Sequence, residues 1–399
     1  MTTQQPAQEN APVGVYLLGA CGSVATLTVA GAHLVANGLA PGIGMISATR
    51  LFEATGLLQL EDFVFGGCDL RDMAAAHRID DLIREHILPC EVRAQAILAL
   101  ERMPVTQLAT IVPGGREAGD GLRLVDSMVA EFSRFRRERK VERLVVVNLS
   151  STEQVSPLLD RLTAAASIEE LDDLLENAGA PVPWGVIYAY AAIKAGCALV
   201  NFTPNLGTDL PALGRLALER GLPHAGKDGK TGETLLKTVL APLFEQRALE
   251  VLTWHGVNIL GNNDGQTLND PAACAVKLHS KNAQLGTLLP GSPDLHARTA
   301  INYAPSLGDW KTAWDFIHFR GFLGVKMQLQ FTWHGSDSAL ASPLVLDLIR
   351  FVEHAWRQGA SGSMRHLCSY FKNPTGGNEH DFRRQIERLG SYYVDAAAG

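Results

Sequence analysis

Residues 13–39 read VGVYLLGACGSVATLTVAGAHLVANGL, and no other stretch limits the fold of this chain as strongly. VGVYLLGA is a short apolar run of the buried-strand type, and GSVATLTVAGAHLVANGL continues with helical periodicity. Gly19 and Gly22 fall where the strand turns into the helix. A dinucleotide fold needs glycine there, because the backbone must approach a pyrophosphate seated over the helix N-terminus. The run Gly19-Ala-Cys-Gly22-Ser-Val-Ala25 lacks the full G-x-G-x-x-G, and any tight strand–helix turn uses glycine. The turn alone does not decide between the two.

The pattern of the chain beyond the turn favours the dinucleotide fold. GIGMISA (42–48) reads as the next strand, with ERLVVVNLS (142–150) and CALVNFTP (197–204) as later ones and helical material between them. Strands alternating with helices argue for an α/β chain built on a Rossmann-type doubly wound parallel sheet. The acidic ribose partner expected at the end of strand two is not obvious. ISATRLFE offers Arg50 and Glu53, and an arginine there would suit a 2′-phosphate, which leaves NADP open beside NAD. VFGGCDL (64–70) ends in Asp69, which serves either as an alternative ribose partner or as a loop or helix cap.

After about residue 250 the strand-like runs lengthen, in ALEVLTWHGVNILG (248–261) and GFLGVKMQLQFTWHG (321–335), before SPLVLDLIRFVEHAWRQG (342–359) returns to helix. We therefore expect a disordered tail over 1–12, a first Rossmann part over 13–228, an inserted, sheet-containing α+β domain over 229–335, and a return to the first domain over 336–399. A chain of 399 residues is long enough for two cores. Its net charge of −7 provides no basic footprint for nucleic acid. No apolar run approaches the ~18 residues of a membrane span. The opening MTTQQPAQENAP lacks the apolar core of a signal peptide. Six cysteines lie scattered without CxxC or zinc spacing, which fits buried thiols in a reducing cytoplasm and a metal-independent scaffold.

Several polar segments stand out in the second half. HAGKDGKTGETLL (224–236) nearly spells a Walker A loop, but His224 or Asp228 breaks each possible register. Thr231 and Gly232 precede a helical run, so they form either a simple N-cap or a phosphate site made of backbone N–H groups. ILGNNDG (259–265), with Asn262 and Asp264, is ordinary turn chemistry when read locally. CAVKLHSKN (274–282) spaces Lys277 and Lys281 four apart, so on a helix they either share a solvated face or point together at an anion. PSLGDWKTAWDF (305–316) spaces Lys311 and Asp315 likewise, and a surface ion pair would explain them. In SYFKNP, Lys372 follows two aromatics, where a snorkelling lysine is the plain alternative. No Ser-His-Asp or histidine-rich metal pattern competes with these.

Together, LLGACGSVATL, NLSSTE, GKDGKTGETLLKTVLAPLF, NILGNNDG, PSLGDWKTAWDF, DSALASPLVLDL and SYFKNP resemble the myo-inositol-1-phosphate synthase family, in the style of its compact prokaryotic members. The resemblance implies conversion of glucose 6-phosphate to inositol phosphate with a held NAD, in a homotetramer. By matching position it implies an NAD site at Gly19, Gly22, Ser23, Val24, Asp69, Ser150, Ser151, Thr152 and Asp228. Thr231 and Gly232, with Lys230 before them, would grip the substrate phosphate at a helix start, with Asn262 and Asp264 near the sugar. Lys277, Lys281, Lys311 and Lys372 match the family's catalytic lysines, with Asp315 and Asp337 as carboxylate neighbours. A divalent cation beside Asp315 or Asp337 stays open. Where the family has an Asn-bearing glycine loop and Ala-Asn-Thr-Glu, this chain has Ala-Cys-Gly-Ser and Ser-Ser-Thr-Glu, both on the cofactor side.

Two rival readings share this frame. An ordinary NAD(P)-dependent sugar-phosphate dehydrogenase or epimerase would consume free cofactor stoichiometrically. A non-catalytic nucleotide-sensing protein would tolerate loss of the lysines, and none is lost here.

Overall fold

The computed structural model describes residues 12–262, 265 and 285–395. Its eleven strands among those residues are β1 (Val13–Leu18), β2 (Phe63–Asp69), β3 (Val105–Gln107), β4 (Leu144–Asn148), β5 (Ala198–Asn201), β6 (Pro223–Gly226), β7 (Glu250–Leu260), β8 (His296–Tyr303), β9 (Trp310–Arg320), β10 (Lys326–Ser336) and β11 (Gly362–Ser363). They form a seven-stranded sheet in the order β11-β6-β5-β4-β1-β2-β3 and a four-stranded sheet in the order β10-β9-β7-β8.

Every pairing in the first sheet is parallel. Strand β1 shows why. All six of its residues are buried, with Val13, Val15 and Leu17 in one core and Tyr16 and Leu18 in the other. A strand with no polar face must be covered on both sides, which in a parallel sheet falls to the crossover helices. Helices Ser23–Ala36 and Asp337–Arg357 cover one side through Val29, Leu348 and Phe351, and helices Gly121–Arg139 and Trp184–Lys194 cover the other through Phe132 and Ile187. Strand order reverses between β1 and β4, which makes their C-terminal ends the topological switch point. The expected Rossmann-type doubly wound sheet is present.

The second sheet lies in the chain between β6 and β11. Strand β9 runs antiparallel to β7 and β10, and β8 runs parallel to β7. One face packs on helix Glu233–Gln246, where Phe244 meets Trp254 edge-on at 6.2 Å and Phe319 at 5.0 Å. On the opposite face Trp314, Phe316 and His318 follow one another in a stacked row, with Trp314 38% exposed.

Two expectations fail in this frame. GIGMISA is not a strand. The amides of Ile46 and Ser47 donate to the Asp347 carboxylate at 2.9 and 3.1 Å, so this stretch closes into a 3₁₀ turn against helix Asp337–Arg357 and cannot join a ladder. Strand two is instead the VFGGCDL segment, which puts Asp69 at the end of β2, next to β1 and its glycine turn, and leaves Arg50 exposed on a separate 3₁₀ turn. Lys311 and Asp315 also lie on a strand, β9, so their spacing does not make them ion-pair partners. Of the five cysteines in the described residues, Cys90 is exposed and the other four are buried.

Candidate active site

A cavity of about 930 Å³ runs along the C-terminal ends of β1, β2, β4, β5 and β6 and reaches Asn258 and Leu260 of β7 and Lys311 of β9. Gly19, the first residue after β1, holds φ +85°, and a Cβ there would come within 2.8 Å of the Leu149 carbonyl oxygen, so only glycine closes this turn. Gly22 caps helix Ser23–Ala36 without a side-chain hydrogen bond, and the first turn carries no acidic residue. The leading N–H groups of that helix are thus unclaimed by a side-chain cap at the cavity wall. That is the arrangement that receives an anionic diphosphate, and it fits a dinucleotide.

Asp69 stands beside this turn. Its carboxylate accepts from the Cys21 amide at 2.8 Å and the Arg71 amide at 2.9 Å, and from Arg71 Nε and Nη2 at 3.1 and 3.3 Å. Burial alone would raise the Asp69 carboxyl, but these hydrogen bonds outweigh it and hold the group below the ordinary carboxylate range. Across the switch point, Asn148 at the end of β4 accepts from Ser150 Oγ at 2.7 Å and so fixes the start of the Ser150-Ser151-Thr152 loop. Glu153 then closes the loop by accepting from the amides of Trp184 and Gly185 at 2.8 and 2.9 Å.

The far wall is built where the two sheets join. Backbone hydrogen bonds zip the segment after β6 to the segment after β11: Lys372 N donates to the Asp228 carbonyl at 2.7 Å, and Lys230 N to the Tyr370 carbonyl at 2.9 Å. This antiparallel contact carries Lys372 into the cavity, where its Nζ lies 2.8 Å from Asp228 Oδ1. Lys311 enters from β9, with its Nζ 3.6 Å from Asp337 Oδ1, and Thr231 Oγ1 donates to the same oxygen at 3.3 Å. Asp309 lies alongside. Burial raises its carboxyl, and the hydrogen bonds it accepts from the Ser336 hydroxyl at 2.5 Å and the Ser338 hydroxyl at 2.8 Å act in the opposite direction. Helix Glu233–Gln246 starts here at Gly232, again without a side-chain cap, so a second helix N-terminus opens on the same cavity.

Beneath this wall sits a buried charged floor. Glu233 pairs with Lys237 and accepts from Asn258 Nδ2 at 2.9 Å. Asp315 is fully buried, accepts from Trp254 Nε1 at 2.7 Å, and lies 3.7 Å from Lys237 Nζ. Glu233 and Asn258 line the cavity, whereas Asp315 and Lys237 lie behind them.

Gly19, Gly22, Ser23, Val24, Asp69, Ser150, Ser151, Thr152, Asp228, Thr231, Gly232, Asn262, Lys311, Lys372 and Asp337 all line this one cavity. Asn262 Oδ1 also accepts from the Gly265 amide at 3.1 Å. Lys277, Lys281 and Asp264 lie outside the described residues. Lys230, within the near-Walker segment, points away from the cavity. Its Nζ donates to Gln385 Oε1 at 2.6 Å and sits 5.4 Å over the Phe382 ring, and burial depresses its pKa to about 7. Among the described residues no three His, Cys, Asp or Glu side chains converge as a metal cluster would require. No helix among them is long and apolar enough to cross a membrane.

Sequence reasoning missed Arg71, Glu233, Asn258 and Asp309 as members of the site. Glu233 and Asp309 lay inside segments already singled out, TGETLL and LGDWK, where their distance from the lysines was invisible. Arg71 follows Asp69 by two residues, and that spacing was its only signal.

A family model described as myo-inositol-1-phosphate synthase matches residues 232–338, the stretch that supplies the second sheet and, with Lys311 and Asp337, part of the far wall. The inositol-3-phosphate synthase 1 of Bacteroides thetaiotaomicron is 33% identical over 397 residues, covering 94% of this chain and 91% of that protein. The inositol-3-phosphate synthase of Spirodela polyrhiza is 29% identical over 316 residues, covering 74% of this chain and 60% of the longer plant protein. Among solved structures, inositol-3-phosphate synthase from Caenorhabditis elegans superposes with a TM-score of 0.81 at 22% identity, covering 97% of this chain and 86% of that one. A myo-inositol-1-phosphate synthase-related protein from Thermotoga maritima gives 0.74, also at 22% identity, covering 96% and 98%. At that identity the two structures speak to the fold.

Proposed function

The chain belongs to the myo-inositol-1-phosphate synthase family, and from that membership we propose that it converts D-glucose 6-phosphate to 1D-myo-inositol 3-phosphate without net redox change. The observation that carries the reading is a single cavity where an uncapped glycine turn, a second uncapped helix start and two ion-paired lysines meet.

The reaction has three parts: oxidation at C5, enolisation with attack of C6 on the C1 aldehyde, and reduction of the ring ketone. A bound NAD supplies the hydride acceptor for the first part and the donor for the last. The Gly19–Gly22 turn and the Ser150–Thr152 loop hold the dinucleotide. The amides at the start of helix Glu233–Gln246, with the Thr231 hydroxyl and Gly232, take the substrate phosphate. Glu233 does not repel that dianion as a bare carboxylate would, because Lys237 and Asn258 engage it from below.

Each part of the reaction develops negative charge on oxygen, which preorganised ammonium groups stabilise. Lys311 and Lys372 serve the C1 oxygen and the phosphate, held in place by Asp337 and Asp228. Lys277 and Lys281 carry the corresponding roles at the C5 oxygen by position in the family motif. Asn262 and Asp264 meet the sugar. Asp315 acts from behind the wall, as a positioning residue.

We also read the protein as a homotetramer assembled through its second sheet. Supporting this, the Trp314 row and the exposed Phe322, Leu323 and Val325 concentrate apolar surface on that sheet and its hairpin. Surface of this kind marks interaction sites.

The test is purified protein with glucose 6-phosphate and catalytic NAD, assayed for inositol phosphate and for NADH. Cyclised product without NADH accumulation, abolished by Lys281→Ala, is the expected result. Stoichiometric NADH would instead identify a sugar-phosphate dehydrogenase.

A further inference from the structure

Helix Ala75–Arg84, packed on the core of the parallel sheet through Ile79 and Leu82, ends in a residue that local physics disfavours. Glu85 caps it, with its amide donating to the Asp81 carbonyl at 3.0 Å, and His86 then leaves the helix at φ +58°. A carboxylate there meets the negative end of the helix dipole. Its partners lie in the other half of the molecule. Glu85 Oε2 accepts from the Asp309 amide at 2.6 Å. The Glu85 carbonyl, one of the acceptors that a helix C-terminus leaves open, accepts from Trp310 Nε1 at 2.8 Å. Both hydrogen bonds hold the turn that leads into β9.

That turn is shaped to receive the carboxylate. Gly308 holds φ +57°, and a Cβ on it would stand 2.6 Å from Glu85 Oε1. Two groups of the site depend on the turn. Lys311 is the second residue of β9, and its Nζ lies 3.6 Å from Asp337 Oδ1. Asp337 is tied to the same place, because its amide donates to the Asp309 carbonyl at 3.3 Å. The Asp309 carboxylate accepts from the Ser336 and Ser338 hydroxyls at 2.5 and 2.8 Å and from the Ser338 amide at 3.1 Å, which pins the start of helix Asp337–Arg357. Asp309 thus fixes both ends of the Lys311–Asp337 pair, and Glu85 fixes Asp309. Asp309 lines the cavity, whereas Glu85 stands one step behind it.

Taking Lys311 as a group that serves the reaction, as the proposed function does, we propose that Glu85 is a positioning residue for the Lys311–Asp337 pair. Its carboxylate sets the turn, and the turn sets both the first residues of β9 and the start of helix Asp337–Arg357. An ammonium group stabilises a developing oxyanion only from the right place, and a misplacement of ~1 Å can cost ~10²-fold in rate. A helix belonging to the parallel sheet therefore governs where a lysine of the other sheet acts.

The test is turnover of glucose 6-phosphate by full-length protein carrying Glu85→Ala, Glu85→Gln or Lys311→Ala, and by the double variant Glu85→Ala/Lys311→Ala. Glu85→Ala should lower kcat by ~10- to 100-fold. Glu85→Gln should keep most of the activity, because its amide oxygen accepts from the same N–H. The double variant should match Lys311→Ala, since residues that act as a unit do not add. Additive losses, or wild-type kcat in Glu85→Ala, would overturn the proposal. A second measurement needs no substrate: the rate at which an amine-reactive reagent labels Lys311, read by peptide mass spectrometry against Lys372 in the same molecule. Loosened from Asp337, Lys311 should label faster relative to Lys372 in Glu85→Ala. Should that variant not fold, Trp310→Phe, which removes the donor to the Glu85 carbonyl and keeps a ring in place, carries the same comparison. If the wild type does not turn over glucose 6-phosphate, the substrate reading fails and the labelling ratio decides this proposal alone. A rise confined to Lys311 supports it, and an unchanged ratio or an equal rise at Lys372 overturns it.

Discussion

Strand β4 is buried at all five of its positions, whereas β10 exposes its first five residues, Lys326 through Gln330. The same contrast holds between the two sheets as wholes. The parallel sheet is sealed by helices on both faces and carries its own stability. The four-stranded sheet is sealed on one face by helix Glu233–Gln246 and presents aromatic rings on the other. A sheet finished on both faces is a scaffold, whereas a sheet open on one face ordinarily meets water there, and apolar rings on that face mark an interaction surface. The candidate active site lies on the seam between them and draws one lysine from each side.

That seam gives the largest expected effects. Lys311 comes from β9 of the second sheet, and Lys372 from the segment after β11 of the first. Replacing either by alanine should lower kcat by ~10²–10³, as removal of one preorganised donor typically does. Steady-state turnover of glucose 6-phosphate checks this, with the far-ultraviolet circular dichroism unchanged. Loss of turnover in Lys372→Ala alone would mean that the second sheet contributes shape rather than charge.

A second pair of substitutions contrasts the sheets directly. Leu17→Ala in β1 removes a fully buried side chain and should destabilise the protein by ~2–5 kcal/mol. Trp314→Ala removes a larger ring from the open face, yet in the isolated chain it should cost less, about 0.5–1.5 kcal/mol, because the ring is 38% exposed and loses mainly its stacked contact with Phe316. Denaturant melts at low protein concentration compare the two. Trp314→Glu should in addition shift sedimentation velocity toward smaller species, because a charge placed in an apolar contact must be desolvated without a partner. An unchanged sedimentation profile would show that the open face is not where copies meet.

The same contrast explains what could be read from the sequence. VGVYLLGA and ERLVVVNLS announce themselves because a strand covered on both faces must be apolar throughout. GIGMISA misleads because its apolar residues are local, while the Asp347 carboxylate that claims its amides lies some three hundred residues on. WKTAWDFIHFR, which forms β9, shows a helix-like spacing because polar Lys311, Thr312 and Asp315 interrupt the strand alternation. Lys311 is there for the site, Asp315 for the charged floor behind it, and Thr312, on the other face, hydrogen-bonds across the sheet to His334 at 2.8 Å. Lys311 and Lys372 are both visible as lysines in odd settings, but their meeting depends on the backbone zipper between Asp228 and Lys372, which no local pattern encodes. Arg71 is nearly silent, because its only signal is its place two residues after Asp69.

The last expected effect is a slope, and it separates the wet side of the seam from the dry one. Lys372 faces the cavity and pairs with Asp228, whereas Lys230, two residues beyond that aspartate, is buried against Gln385 and Phe382. Burial lowers the pKa of Lys230 to about 7 in the fold, while in the unfolded chain a lysine titrates near ~10.4. Below pH 7 both states hold the proton, and the fold carries the full penalty of a desolvated ammonium. Between pH 7 and ~10 the unfolded chain still holds the proton and the folded chain has released it, so stability rises with pH through this window. The neutral amine keeps its hydrogen bond to Gln385 Oε1, so the packing of helix Phe382–Gly390 does not depend on the charge. Lys230→Met should therefore remove this rise, and the difference between wild-type and variant denaturation midpoints measured from pH 7 to 9 isolates it from every other titrating group. Identical slopes would mean that Lys230 stays charged inside the fold, and that the dry side of the seam is wetter than its packing indicates.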